Sequence, residues 1–594
     1  MRGITANWVN FSAAYDYVVV GGGTAGLVVA TRLAEDGSKS VAVIEAGTFY
    51  ETANSNLSQI PLFGPGGAGK SPLDTYPFVD WQFQTTPQAV RYARLTARYK
   101  LNRYQGMNGA SVHYARGKAL GGSSARHFLT YQIGPKGSYQ RWADQVGDQA
   151  YSWNNFLPYF QKSQDFNAPR GRPANATPEY DTATLKQGGP LSVTYAPYAM
   201  AFSSWARNAL TAMGLKSING FTSGSVLGSS YQLLTLSKTS LRESSETAFL
   251  QKIGLARPNL VVYSSVMAEK ILFNGTKATG VQINMNGLPF KLSANREVIV
   301  SAGAFQSPQL LMVSGVGPRD VLSRNGISVV KDLPGVGQNM EDHVLGGPSY
   351  RVNVLTTSAM ANPAFAGMQA QQYLTSNTGM LTAVGADFLA FEKLPKNMTS
   401  QLSNSTQADL AKLPSDWPDI EFFPTSAYYG SQVNFRTDAP VDGYNYATVA
   451  VALSAPLSRG SVSISAADMN TPPVINPNWL THPTDQAVAV AGWKRARTVF
   501  DHMPGVLLGP EYWPGTNVTT DDQILRQVRQ SFGTVFHASC TCKMGKSDDP
   551  MAVVDSKARV FGVSGLRVVD ASAMALLPPG HPQATICELP ENPP

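Results

Sequence analysis

The chain has 594 residues, more than one hydrophobic core usually organises, so two domains are expected. Hydrophobic residues make up 43% and charged ones 15%, with no long run of like charge, which argues against a disordered chain. The net charge of +7 is scattered and never interleaved with aromatics, so no nucleic-acid partner is expected.

The first predicted element is a strand over Tyr15–Val20, a continuous apolar and β-branched run of the kind buried on both faces of a parallel sheet. It leads into Gly21-Gly22-Gly23-Thr24-Ala25-Gly26 and then a helical pattern over Leu27–Ala34. Gly21, Gly23 and Gly26 form a G-x-G-x-x-G, which permits a tight turn, close approach to a pyrophosphate and helix–strand packing. Thr24 and Ala25 fall at the helix start, where unpaired N–H groups attract phosphate. A second strand over Val41–Ile44 ends in Glu45, about 20 residues past the last glycine, where a carboxylate accepts from a ribose diol. This order predicts dinucleotide binding; the motif alone does not choose NAD over FAD.

Further segments resemble the glucose–methanol–choline (GMC) oxidoreductases, from about Tyr15 to Thr585. Ala115–Ser124, holding Arg116, Gly121, Gly122 and Ser123, is similar to the family's first signature, a glycine-rich loop lying along the flavin. Ser301–Leu311, continued by Ser314–Pro318, is similar to its second, and Leu333–Asn339 followed by Asp342-His343 continues the match. Smaller echoes are Arg242 with Ser244 and Ser245, and Ser458–Val462. The resemblance implies FAD as cofactor, with Val266, Asp570, Ala571 and Gln583 among its neighbours.

His537 opens His-Ala-Ser-Cys-Thr-Cys, which resembles the family's C-terminal histidine motif with Cys540 where glycine is usual; His581, in Gly-His-Pro-Gln, stands at the second active-site position. Two of only seven histidines fall on both positions, and an imidazole suits the removal of a hydroxyl proton. The resemblance implies that His537 is the base and His581 orients the substrate oxygen. His537, Cys540 and Cys542 do not have a usual zinc spacing, so no metal is expected.

The chain also departs from the family. His127 stands where asparagine is common, and Arg126 stands where some relatives attach FAD covalently through histidine; the expectation is non-covalent FAD. After His581 the family continues with a long helix, whereas prolines crowd Ile586–Pro594 and forbid one. A truncated gene model or weaker flavin affinity is the implied consequence. The two histidine motifs resemble a fungal secondary-metabolism branch of the family.

The expected fold class is α/β. A Rossmann-like FAD-binding domain (1–165, 225–345 and 525–594) is interleaved with an α+β substrate domain (166–224 and 346–524) built on an antiparallel sheet, as the alternation in Tyr444–Leu453 suggests. The expected partners are a small-molecule alcohol and an electron acceptor, O2 or another, with the chain a monomer or homodimer. No window reaches roughly 18 uninterrupted apolar residues, and the first residues lack a signal peptide's apolar stretch, so a protein free of membranes is expected. Sequons at Asn10, Asn56, Asn175, Asn274, Asn397, Asn404 and Asn517 fit a secreted glycoprotein whose signal was removed; otherwise the protein is cytoplasmic.

Three functions stay open: oxidation of a small aryl, allylic or furanyl alcohol; a non-redox cyclase or dehydratase that keeps FAD as structure; and a non-catalytic binding protein on the same scaffold.

Overall fold

The computed structural model describes residues 12–88, 111–285 and 287–589. Two seven-stranded sheets organise them. In the first, β1 (Ser12–Val20) lies between β2 (Val41–Glu45) and the long strand Leu288–Val300, parallel to both. Leu260–Ser264 extends the sheet parallel to β2, and Leu566–Val568 runs parallel to the end of Leu288–Val300. Lys277–Met285 and Met267–Asn274 add an antiparallel edge.

All five residues of β2 are buried, as a strand covered on both faces requires. In β1 only Val18, Val19 and Val20 are fully buried, because the register to Leu288–Val300 shifts between Tyr15 and Tyr17. Asp16 at that shift turns to accept from the backbone N–H of Ser40 at 2.9 Å. The helix α1 spans Thr24–Leu33, one residue short of the expected end.

The second sheet is antiparallel, in the order Gly533–Thr534, Val344–Gly346, Asn445–Leu453, Ile420–Thr425, Phe388–Glu392 and Gly228–Tyr231; Ser349–Val352 also pairs with Asn445–Leu453. Gly228–Tyr231 and Gly533–Thr534, from stretches expected beside the cofactor, thus form its two edges. The alternation expected over Tyr444–Leu453 is not what the strand Asn445–Leu453 shows, since eight of its nine residues are buried. The helix Pro483–Asp501 covers its other face, and a Cβ at Gly492 would come within 2.8 Å of Val451.

No helix among the described residues is long and apolar enough to cross a membrane. After Pro582 a helix runs for six residues, Gln583–Glu588; the prolines from Pro590 onward, and the sequon at Asn10, lie outside the described residues.

Candidate active site

Four parallel strands end at one cleft with about 1060 Å³ of open space, lined by Val20, Glu45, Ser301 and Asp570 from the strand ends or just beyond them. This is where open parallel sheets receive ligands, because the helices that follow turn their N-termini to the strand ends.

The glycines on its floor play distinct parts. Gly21 holds φ +105°, and a Cβ there would stand 2.3 Å from the Ser301 carbonyl. A Cβ on Gly26 would stand 1.9 Å from the Gly21 carbonyl, so Gly26 serves packing of α1 on the turn and does not line the cleft. Gly23 borders the cleft and touches the second glycine-rich loop: a Cβ on Gly122 would lie 2.7 Å from its Cα. Gly121, at φ +89°, shapes that loop from behind, its carbonyl 3.5 Å from Thr24 Oγ1.

The donors and acceptors fit a dinucleotide. Gly23 caps α1 without a side-chain acceptor, leaving the first N–H groups of the helix, at Thr24 and Ala25, beside the cleft. Glu45 accepts from Gly22 N at 2.9 Å on one oxygen and Gly47 N at 2.8 Å on the other. Each oxygen keeps lone-pair capacity for a ribose hydroxyl. Burial pushes its carboxyl up to about 7 against those N–H donors. Asp570 is engaged by Gly303 N at 2.8 Å, Ser307 Oγ at 2.5 Å and Ser572 N at 2.7 Å, which fixes Ala571 against the opening.

At the other end His537 lines the cleft. The turn before it puts Phe536 at φ +63°, held by Arg116, whose Nη1 donates to the Phe536 carbonyl at 2.7 Å. Asp342 Oδ1 accepts the His537 N–H at 2.9 Å, while its Oδ2 gathers Thr534 Oγ1 at 2.7 Å, Tyr114 OH at 2.9 Å and Trp479 Nε1 at 3.0 Å. Burial nevertheless raises Asp342 to about 6.

The rings of His343, His537 and His581 cluster together. His343 Nδ1 and His537 Nδ1 are 3.0 Å apart, and the rings of His537 and His581 are centred 5.0 Å apart, edge to face. His581 Nε2 in turn meets Glu421 Oε1 at 3.1 Å, on the second sheet. Burial, then the neighbouring His581, His343 and Arg116, hold His537 well below the usual histidine range, so its ring is neutral near pH 7. Burial raises Glu421, an effect His581 opposes.

Of the residues singled out in the sequence, Gly21, Gly23, Thr24, Ala25, Glu45, Arg116, Gly122, Ser123, Val266, His537, Asp570 and Ala571 line one cleft. Gly26, Gly121, His127, His581 and Gln583 are not among its lining residues. His127 Nε2 meets Gln583 Oε1 at 2.5 Å, and its Nδ1 accepts from Arg242 at 2.8 Å. Arg126 is paired with Asp80 at 2.7 Å. Cys540, Cys542 and Cys587 are buried free thiols, Cys540 with φ +68°, a conformation that favours glycine. No group of three or more His, Cys, Asp or Glu among the described residues is placed to hold a metal ion.

Asp342 and His343 had ended a motif without carrying a role, and Glu421 was not singled out; the only local signal for it is an acid within the apolar run Ile420-Glu421-Phe422-Phe423.

Comparison with known proteins agrees with this geometry. Models of the GMC oxidoreductase family match residues 15–345 and 456–589. Patulin synthase of Aspergillus clavatus is 53% identical over 97% of this chain and 91% of its own length. Versicolorin B synthase of Aspergillus parasiticus is 42% identical over 97% of this chain and 87% of its own. The structure of a fungal aryl-alcohol oxidase superposes with a TM-score of 0.79 at 26% identity, covering 97% of both chains. The cradle at the strand ends, the histidines beside it and these matches place the chain in the GMC oxidoreductase family, and it is an FAD-dependent oxidoreductase.

Proposed function

We propose that this oxidoreductase oxidises a small aryl, allylic or furanyl alcohol in fungal secondary metabolism, with His537 accepting the hydroxyl proton. The observation that carries the reading is a neutral, buried imidazole opening onto the same cleft as the nucleotide cradle. A neutral ring has a lone pair to offer the hydroxyl proton. Bound FAD supplies the acceptor for the hydride that leaves the carbinol carbon.

His581, held by Glu421 and packed edge to face against the His537 ring, is in this reading the residue that orients the substrate oxygen. Likeness to proteins named patulin synthase and versicolorin B synthase supports the metabolic setting, and likeness to an aryl-alcohol oxidase supports the alcohol class.

We infer that FAD is held non-covalently. His127 has both ring nitrogens engaged by Arg242 and Gln583, and Arg126 is committed to Asp80. Acid precipitation should leave the yellow colour in solution; colour in the pellet overturns this.

The test of function is anaerobic mixing with a panel of aryl, allylic and furanyl alcohols. Bleaching of the flavin band is expected, and His537→Ala should slow it on the order of a hundredfold or more. Product formed from a panel member while the flavin stays oxidised would replace this reading with that of a non-redox cyclase.

A further inference from the structure

We propose that His343 is a positioning residue that sets the tautomer of His537, keeping the proton on His537 Nδ1 so that Nε2 offers its lone pair to the substrate hydroxyl. The proposal rests on the reading of His537 as the base.

The protons on the two facing rings can be counted. His343 Nδ1 and His537 Nδ1 are 3.0 Å apart, so one must donate and the other accept. Both rings are buried, and burial holds each below the ordinary histidine range, His343 at about 3. Each neutral ring therefore carries a single N–H.

The role of His537 decides which way the bond runs. His537 Nδ1 is committed to His343, so Nε2 is the nitrogen left to take the substrate's proton. A ring that is to accept at Nε2 must carry its own single proton on Nδ1, where it points at His343 Nδ1. His343 Nδ1 is then the acceptor and His537 Nδ1 the donor. A proton on His537 Nδ1 leaves Nε2 as a lone pair, the form a base needs.

The reverse arrangement would give His537 an Nε2–H, a donor with no capacity to accept the hydroxyl proton. A residue that fixes the tautomer of a catalytic imidazole thus acts on the rate without touching the substrate.

The fold also explains why His343 reaches this ring. Val344–Gly346 pairs with Gly533–Thr534, and one step further the Val535 N–H donates to the His343 carbonyl at 2.9 Å. That ladder carries the two histidines out on adjacent backbones.

The experiment compares His343→Asn with His343→Leu and His343→Gln in the FAD-loaded enzyme, by the rate of anaerobic flavin reduction and by its split between KM and kcat. Asparagine presents a carbonyl oxygen near the position of Nδ1 and preserves an acceptor; leucine presents none, and glutamine carries its amide beyond the position. Asn is expected to stay within about tenfold of wild type, and Leu and Gln to fall on the order of a hundredfold in kcat with KM little changed. Should Leu not fold, Gln remains the disabling variant.

Equal rates for Asn and Gln, or a wild-type rate in any disabling variant, overturn the proposal. His537→Ala measured alongside separates the two readings: if it leaves reduction unchanged, the base assignment fails first; if it is slow while His343 is indifferent, only the tautomer role fails.

Discussion

The carboxylate of Asp342 and the backbone N–H of His537 meet at 2.9 Å across 195 residues of sequence. Because Oδ2 of the same carboxylate collects three side-chain donors, Asp342 ties the segment bearing His537 to Tyr114, Trp479 and Thr534. An amide cannot serve this site, since its NH2 would confront donors whichever way it turned. Asp342→Asn should therefore cost roughly 2–4 kcal/mol of stability and slow flavin reduction. A denaturation midpoint and a reduction rate both equal to wild type would remove Asp342 from this role.

Glu421 and His581 give a second relationship of the same kind, with Nε2 of the histidine 3.1 Å from the carboxylate and both side chains largely out of water. Glutamine keeps an oxygen for Nε2–H but removes the charge, whereas leucine removes both. Glu421→Gln should lower the flavin reduction rate by less than about tenfold and Glu421→Leu by roughly a hundredfold, read by stopped-flow absorbance. Identical behaviour of the two variants would mean that the carboxylate does not orient His581.

The strand–glycine–helix part of the cleft was legible in the sequence because it has local steric causes, whereas Val266, Asp570 and Ala571 were reached only through the family resemblance. Val18–Val20 need a covered sheet, Gly21 a positive φ and Gly26 a place too close to a carbonyl for any side chain. The histidine half was legible only through motif resemblance, and then only for His537 and His581. His343 and Glu421 are single polar residues whose partners lie 194 and 160 positions away. No periodicity or spacing encodes such a pair; it exists only once Val344–Gly346 lies beside Gly533–Thr534 and Ile420–Thr425 enters the second sheet. The burial of Asn445–Leu453 on both faces was hidden for the same reason, because the covering helix Pro483–Asp501 lies beyond it in the chain.

If Glu45 receives the ribose hydroxyls, cofactor affinity should depend on pH. Without a bound ribose, burial holds its carboxyl up at about 7, so below that pH it carries a proton. Ribose hydroxyls donate better to the ionised form, so binding lowers this pKa and releases a proton. Affinity for FAD should then rise with pH up to about 7 and level off above it, falling roughly tenfold between pH 8 and pH 5.5. Titrating FAD fluorescence with cofactor-stripped protein reads this directly. In Glu45→Gln the slope should vanish while affinity at pH 8 drops; a variant that keeps the wild-type slope would assign it to another group.

Gly122 tests whether the two glycine-rich loops must touch. At φ +53° with a prospective Cβ 2.7 Å from the Cα of Gly23, alanine is opposed twice, by its own backbone and by a neighbour that is backbone and cannot swing aside. The left-handed conformation alone costs about 1 kcal/mol, and relieving the contact pushes apart the loops that frame the N-terminus of α1. Gly122→Ala should thus lose about 1–3 kcal/mol in stability and bind FAD at least tenfold more weakly. Gly37→Ala is the control: it is exposed, with nothing within 4 Å of the added methyl, and should stay within about 0.5 kcal/mol of wild type. Equal FAD affinity in the two variants would mean that the loops tolerate separation, and the close approach of Gly23 to Gly122 would then be a matter of packing, without consequence for the cofactor.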